Sequence, residues 1–175
     1  SINAYLTERL ADAATLSQIP AVQTFLADTP NPVSPVYLND AKHATYALLA
    51  GQIRDKHYLV WSLFYKDGTL ALDYPTNIDR QKEAVVLPEY VQAIQQQDKT
   101  GQPLISPVYY DTTLQKAYVD LYSPVYEGLT SQTPLLGFMR AKLSLDYIWD
   151  IVKQDKGVSN SGSAFILDEN GVRIA

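Results

Sequence analysis

The spacing of the apolar residues changes once along this chain, and that change limits the folds that it can adopt. Before residue 55 the apolar residues recur every three or four positions, which predicts amphipathic helices. From His57 onward, apolar and polar residues alternate in segments rich in β-branched and aromatic side chains, which predicts strands. The sequence therefore indicates an α+β fold, in which a long N-terminal helix packs on an antiparallel sheet.

The helical region divides at its prolines. The first helix must end before Pro20, which suits the first position of a second, short helix. Residues 28–35 contain three prolines and predict a loop, after which Asn39 is predicted to cap a third helix from Asp40 to Arg54. The apolar stripe of the first helix consists of Ile2, Leu6, Leu10, Ala13, Leu16 and Ile19.

Five strands are predicted after the helical region. The first two form a hairpin in which Gly68 supplies the positive φ of the turn. A short helix from Pro88 to Gln97 precedes the other three, and Ser144 is predicted to cap a last helix through Val152. The strands are expected to follow one another as an antiparallel meander: His57–Tyr65, Leu70–Tyr74, Leu104–Tyr109, Ala117–Tyr126 and Leu135–Leu143.

The hairpin pattern occurs a second time near the end of the chain. An aromatic residue, two further residues, an aspartate and a turn glycine stand at Phe64–Gly68, and again, with two residues inserted, at Phe165–Gly171. A repeat about a hundred residues long indicates two similar modules in tandem, because solenoid repeats are about 20–50 residues long. We expect a helical region at residues 1–55, a complete module at 56–153, and a link with the first hairpin of a truncated second module at 154–175.

Composition excludes several classes of function. The net charge is −5 and lysine and arginine do not cluster, so no nucleic-acid partner is expected. The chain has no cysteine and only two histidines, which leaves almost no material for a metal site or a Ser-His-Asp triad. No apolar run reaches the ~18–20 residues of a membrane span. Asp111 and Asp120 lack an accompanying nucleophile, so no enzymatic activity is expected.

Over essentially its full length, including the long N-terminal helix, the chain resembles the Cache sensor modules, which are PAS-like extracytoplasmic domains of bacterial transmembrane receptors. The resemblance rests on the order of several short motifs, and the second hairpin matches the start of the membrane-proximal module of double-Cache receptors. After the first hairpin the motif residues are Pro88, Tyr90 and Ala93, then Gly101, Pro103, Ser106 and Tyr109, then Ser123-Pro124-Val125-Tyr126, Leu136-Gly137-Phe138 and Leu143-Ser144-Leu145.

The resemblance implies a five-stranded PAS-like sheet and the function of an extracytoplasmic sensor. Such a domain binds a small organic ligand and signals, through a membrane-anchored parent protein, to a histidine kinase, a diguanylate cyclase or a chemotaxis module. It implies no cofactor, and the N-terminal helix is the candidate for a homodimer contact. Two alternatives stay open from the residues: a cytoplasmic PAS- or GAF-like module that binds a cofactor, and a module that serves only structural dimerisation.

Polar and aromatic side chains share one face of the predicted sheet, because they alternate with apolar residues along its last two strands. Tyrosine and tryptophan combine apolar area with one hydrogen bond each, which is what small-ligand pockets use. The candidate ligand-binding residues are Trp61, Tyr90, Tyr109, Asp111, Tyr118, Asp120, Arg140 and Lys142. The alternative is a structural cluster in which Asp120 and Arg140 pair across neighbouring strands.

The charges of this set bear on the ligand. The amino-acid-binding branch of the family has Arg-x-Trp-Tyr on the helix, Tyr-x-Asp soon after it, and an aspartate late on the last strand. In this chain residues 87–90 keep only the tyrosine of the first motif, Tyr109 and Asp111 keep the second, and Lys142 replaces the last aspartate. A lysine there would repel the ammonium of an amino acid. The resemblance therefore implies a small carboxylate ligand and not an α-amino acid.

Overall fold

The computed structural model describes residues 2–27, 35–53, 58–75, 88, 89, 91, 103–111, 115–129 and 133–155. The hairpin predicted at residues 165–175 and most of the helix predicted from Pro88 to Gln97 lie outside them. The helices are α1 (Ile2–Ser17), α2 (Pro20–Ala27), α3 (Pro35–Ile53) and α4 (Leu145–Asp155). The strands are β1 (Tyr58–Tyr65), β2 (Leu70–Tyr74), β3 (Leu104–Ile105), β4 (Tyr109–Asp111), β5 (Lys116–Tyr126) and β6 (Leu135–Ser144).

The strands form one antiparallel sheet in the order β2-β1-β6-β5-β3, with β4 also paired to β5. The predicted α+β class and antiparallel sheet are confirmed, but the sheet is not a simple meander. Strand β1 lies between β2 and β6, so β2 and β3 are at opposite edges. Consecutive hairpins in the sequence cannot show this, because the pairing of β1 with β6 joins strands that are distant along the chain.

The strand predicted from Leu104 to Tyr109 is divided into β3 and β4. Pro107 lies between them and has no N–H to donate to the ladder, so pairing along one continuous strand is interrupted. Ser106 bridges the break, because its N–H donates to the carbonyl oxygen of Asp120 and its hydroxyl accepts from the N–H of Asp120, each at 2.8 Å. This detour lets β4 pair with β5, which brings Tyr109 opposite Tyr118.

Three helices pack on one face of the sheet. α1 packs on β5 and β6, α3 packs on β1 and β2, and α2 contacts β5 and β6. A helix about 10 Å wide covers only about two strands spaced about 4.8 Å apart, so α1 cannot cover this face alone. The core between the layers includes Leu16, Phe25, Leu26, Leu49, Trp61, Leu63, Leu121, Met139 and Leu143. None of the helices within the described ranges is long and apolar enough to span a membrane.

The helix starts agree with the sequence except at α3, and α4 ends at Asp155 rather than at the predicted Val152. Helix α3 begins at Pro35, so the predicted Asn39 cap is wrong. Proline suits the first helical position because its missing N–H needs no acceptor there and its φ is already helical. α2 does begin at Pro20, and the hydroxyl of Ser144 accepts the N–H of Asp146 at 3.2 Å as a cap of α4.

A smaller apolar cluster lies on the opposite face of the sheet and consists of Phe64, Val91, Tyr122 and Phe138. Val91 belongs to the segment predicted as a helix after Pro88, and it is fully buried. The segment that contains Val91 therefore covers part of the sheet face that is turned away from α1, α2 and α3.

Gly137 on β6 lies so close to β1 that no side chain fits there. A Cβ at this position would lie 2.0 Å from the backbone oxygen of Phe64. We predict that Gly137→Ala lowers the free energy of unfolding by about 3 kcal/mol, because β1 and β6 must separate to admit the methyl group. Urea denaturation of the purified domain measures this change.

Gly51 on α3 is the matched control, because a Cβ there meets no other atom within 4 Å. Gly51→Ala should raise the free energy of unfolding by about 0.5–1 kcal/mol through helix propensity. An equal change in the free energy of unfolding for the two substitutions would contradict the close approach of β6 to β1 at Gly137.

Candidate ligand-binding site

β5 and β6 present polar and aromatic side chains on the face turned away from the three helices. Their register pairs Asp120 with Lys142 and Tyr122 with Arg140. The residues between them, such as Leu121, are buried against the helices. The alternation predicted for these two strands is therefore present, and it brings two cations and a carboxylate to one face.

Four of the predicted residues form a cluster that we call the tyrosine–lysine cluster: Tyr109, Tyr118, Asp120 and Lys142. The hydroxyl of Tyr109 donates to Oδ1 of Asp120 at 2.9 Å. Nζ of Lys142 lies 4.9 Å from the ring centroid of Tyr118 and 5.4 Å from that of Tyr109, within the range of cation–π attraction. Asp120 is 6% exposed and Lys142 is 3% exposed. The cluster therefore buries a carboxylate and an ammonium beside two aromatic rings.

Burial raises the pKa of Tyr109 above its ordinary value, and the charge and hydrogen bond of Asp120 raise it further. The nearby Arg140 guanidinium opposes this shift and lowers the same pKa. Because the net shift is upward, the hydroxyl keeps its proton at neutral pH. It therefore stays a hydrogen-bond donor to Asp120.

Arg140 belongs to a second group, which we call the Arg140–Ser62–Asp73 chain. Nη2 of Arg140 donates to Oγ of Ser62 at 3.0 Å, and the Ser62 hydroxyl donates to Oδ1 of Asp73. Ser62 and Asp73 are fully buried and stand opposite each other in the register of β1 and β2. The guanidinium also lies 4.9 Å from the ring centroid of Phe64. Within the part of the chain that the structure describes, Arg140 makes no ion pair.

Three predicted site residues stand apart from these groups. Trp61 is fully buried on the opposite face, against the helices, with its ring centroid 4.6 Å from that of Tyr58. It precedes Ser62, and neighbouring residues of a strand point to opposite faces, so placing Trp61 in the pocket was incorrect. Tyr90 lies outside the described residues, as does the side chain of Asp111, whose backbone pairs with Lys116.

Ser62 and Asp73 were not predicted from the sequence as residues of this site. Ser62 is the one small polar residue of β1, and Asp73 is the one acidic residue of β2, whereas the other residues of both strands are apolar or aromatic. This contrast was the signal in the sequence that could have identified them. Their inclusion changes the charge of the face, because Asp73 and Asp120 now stand against Arg140 and Lys142. The two carboxylates therefore balance the two cations among the described side chains of this face. Arg140 makes no ion pair with the described side chains.

A groove of about 500 Å³ lies elsewhere, at the end of the sheet formed by the β1–β2 turn. It is lined by the C-terminal end of α2, by Lys66 and Asp67 of the turn, and by Glu127 and Pro134. None of the predicted ligand-binding residues lines it. The groove and the polar face of the sheet are therefore separate features.

No protein-family model matches the chain, and no curated protein matches its sequence. Several solved structures do match. One is the ligand-binding domain of the Pseudomonas aeruginosa amino acid chemoreceptor PctC in complex with GABA, with 16% identity and a TM-score of 0.63, over 99% of this chain and 67% of that one. Another is the ligand-binding domain of the Pseudomonas fluorescens chemoreceptor CtaA in complex with L-valine, with 13% identity and a TM-score of 0.64, over 99% and 67%.

A third match is the sensor domain of the Vibrio cholerae histidine kinase DctB, with 15% identity and a TM-score of 0.60, over 85% of this chain and 52% of that one. The chain thus spans 52% to 67% of the length of these three structures. At such identities the likeness shows the fold. The Cache-type, PAS-like fold predicted from the sequence is confirmed.

We predict that Tyr109→Phe reduces the loss of stability at alkaline pH. The folded state holds the Tyr109 proton above the usual tyrosine pKa of about 10, so the unfolded state releases its proton first. The stability from this group is complete below about pH 10 and is lost as the pH rises beyond it. Between about pH 8 and pH 11 the variant should lose up to about 1 kcal/mol less than the wild type, after allowance for partial solvent exposure.

Urea denaturation at the two pH values measures this difference. Tyr58→Phe is the parallel variant on the helix side, where burial and a hydrogen bond to Asp12 also raise the pKa of the tyrosine. The effects of the two substitutions should add, because the sites share no partner. An identical dependence on pH in the wild type and Tyr109→Phe would contradict the burial of the Tyr109 hydroxyl on Asp120.

Proposed function

We propose that this domain is the extracytoplasmic sensor of a membrane-anchored receptor and that it binds a small carboxylate through Arg140 and Lys142. The fold supports the sensory role, because the matching structures are ligand-binding and sensor domains of chemoreceptors and of a histidine kinase. One observation carries the choice of ligand. Arg140 is oriented by Ser62 and Phe64 but has no ion-pair partner among the described residues.

The contacts of Arg140 leave most of its donors for a ligand. A guanidinium has five N–H donors in a planar fork that matches the two oxygens of a carboxylate. Ser62 accepts from one nitrogen, and Cζ of the guanidinium lies 4.9 Å from the ring centroid of Phe64. These two contacts restrict the side chain before any ligand arrives, which lowers the entropy cost of binding.

Lys142 favours a carboxylate over an amine in the same site. It is buried beside Asp120. The resemblance to the Cache modules implies that its position is the one where the amino-acid-binding branch carries an aspartate. PctC binds GABA and CtaA binds L-valine, and the group that these two ligands share with our proposed ligand is the carboxylate. In this chain a cation replaces the group that would accept their ammonium. The proposed ligand therefore keeps the carboxylate and lacks the α-ammonium.

The receptor context follows from the same proposal. A domain of this kind would pass the binding signal to a histidine kinase, a diguanylate cyclase or a chemotaxis module in the parent protein. The N-terminal helix α1, which packs on β5 and β6, connects the ligand-binding strands to the start of the chain. We propose the same helix as the contact between two copies of the domain in the receptor.

A thermal-shift screen tests the ligand class, because a ligand that binds only the native state raises the melting temperature. The panel contains small mono- and dicarboxylates, α-amino acids, amines and purines. We expect at least one carboxylate to raise the melting temperature and the α-amino acids and amines to have no effect. A shift produced only by amino acids or amines would contradict the proposed class.

Arg140→Gln should weaken binding of that carboxylate about ten- to hundredfold, because a charge-assisted contact contributes about 1.5–3 kcal/mol. Lys142→Gln should weaken it in the same direction. Isothermal titration calorimetry measures both affinities, and near-UV circular dichroism confirms that the variants are folded.

Lys116→Gln is the control, because Lys116 is an exposed cation on β5 that pairs with Asp146 at the surface. Its affinity should stay within about twofold of the wild type, since its charge is screened by solvent. Equal losses in Arg140→Gln and Lys116→Gln would show a general effect of charge and would contradict the site.

A further inference from the structure

The Arg140–Ser62–Asp73 chain contains two buried polar atoms that lack a hydrogen-bond partner. They are Nε of Arg140, which is a donor, and Oδ2 of Asp73, which is an acceptor. Ser62 lies between the two side chains: its hydroxyl accepts from Nη2 of Arg140 and donates to Oδ1 of Asp73. Two unsatisfied atoms of opposite kind therefore belong to residues that are joined through a single hydroxyl.

Leaving such atoms buried and unpaired is costly. A buried donor or acceptor without a partner loses its hydration and gains nothing in return, and the loss is larger when the group is charged. Asp73 is fully buried, and within the described ranges only Ser62 donates to its carboxylate. The great majority of buried polar side-chain atoms in native proteins do have a partner, so this pair requires an explanation.

We propose that Nε of Arg140 and Oδ2 of Asp73 form a subsite for a hydroxyl group of the ligand. The hydroxyl oxygen accepts from Nε and its hydrogen is donated to Oδ2, so one group satisfies both atoms. The ligand of this domain is then a hydroxycarboxylate, with its carboxylate on the remaining donors of Arg140 and its hydroxyl beside Asp73. This inference rests on the proposed function, because it assumes that a carboxylate binds at Arg140.

Other groups fit this subsite less well. A second carboxylate cannot donate a proton to Asp73 and is repelled by it, whereas an ammonium cannot accept from Arg140. A methyl group leaves both atoms unsatisfied. A buried water molecule offers the same donor and acceptor as a hydroxyl, so it is the occupant that the experiment must distinguish from the ligand.

The experiment compares carboxylates that differ by one hydroxyl group, with lactate against propionate and malate against succinate. Isothermal titration calorimetry on the purified domain gives the ratio of affinities within each pair. We expect the hydroxylated member of at least one pair to bind about ten- to hundredfold more tightly, because its hydroxyl contacts two charged groups.

Asp73→Asn tests the residue that sets this preference. The amide keeps the size of the side chain and an oxygen for Ser62, but it puts a donor in place of the acceptor Oδ2. The affinity ratio should therefore fall toward one. Arg140→Lys, which keeps the charge and removes Nε, should lower the ratio as well and serves if Asp73→Asn does not fold. Asp150→Asn, an exposed carboxylate on α4, is the control and should keep the wild-type ratio.

The outcomes separate this inference from the proposed function. Binding of the carboxylates with no preference for the hydroxylated members would overturn the subsite and leave the proposed function intact. Failure of all four compounds to bind, while another carboxylate of the thermal-shift panel binds without a hydroxyl group, would overturn the subsite alone, and failure of every carboxylate in that panel would overturn both. A preference that persists in Asp73→Asn and in Arg140→Lys would show that the ligand hydroxyl binds elsewhere, which also overturns the subsite.

Discussion

The antiparallel pairing of β5 with β6 determines which side chains face the helices and which face the opposite side of the sheet. Because successive residues of a strand alternate between faces, a slip of one residue would exchange the two sets. In the observed register Leu121 and Met139 lie in the helix-side core, while Asp120 and Lys142 stand together on the other face. The pairing that builds the core also assembles the candidate site.

The second face is costly to build. Asp73, Asp120 and Lys142 are all at least nine-tenths buried, and charged groups in such positions need partners. Hydrogen bonds from Ser62 and Tyr109 satisfy one oxygen of each aspartate. A sheet face that served only stability would be filled more cheaply by apolar residues, as the smaller cluster around Phe64 and Phe138 is. Departures of this kind from a consistent core are expected at functional sites.

Local patterns in the sequence predicted the local structure well. The strand β2 spans Leu70–Tyr74 as predicted, because its bounds depend on a turn and a short apolar run. Local patterns failed at Trp61, whose side-chain type suggested a pocket residue. Because successive residues of a strand point to opposite faces, Trp61 lies against the helices and its neighbour Ser62 lies on the face of the candidate site. Asp73 was not predicted because its place in the site depends on two long-range contacts. It stands opposite Ser62 in the β1–β2 hairpin, and Ser62 in turn accepts a hydrogen bond from Arg140, so no single segment of the sequence reveals the group.

A crystal structure of the domain grown with the carboxylate that gives the largest thermal shift tests the central claim most directly. We expect the carboxylate oxygens within about 3 Å of the Arg140 guanidinium, on the face of the sheet that carries Lys142 and Asp120. A ligand bound in the groove beside the β1–β2 turn, or a ligand that leaves Arg140 without a contact, would contradict the assignment of the site.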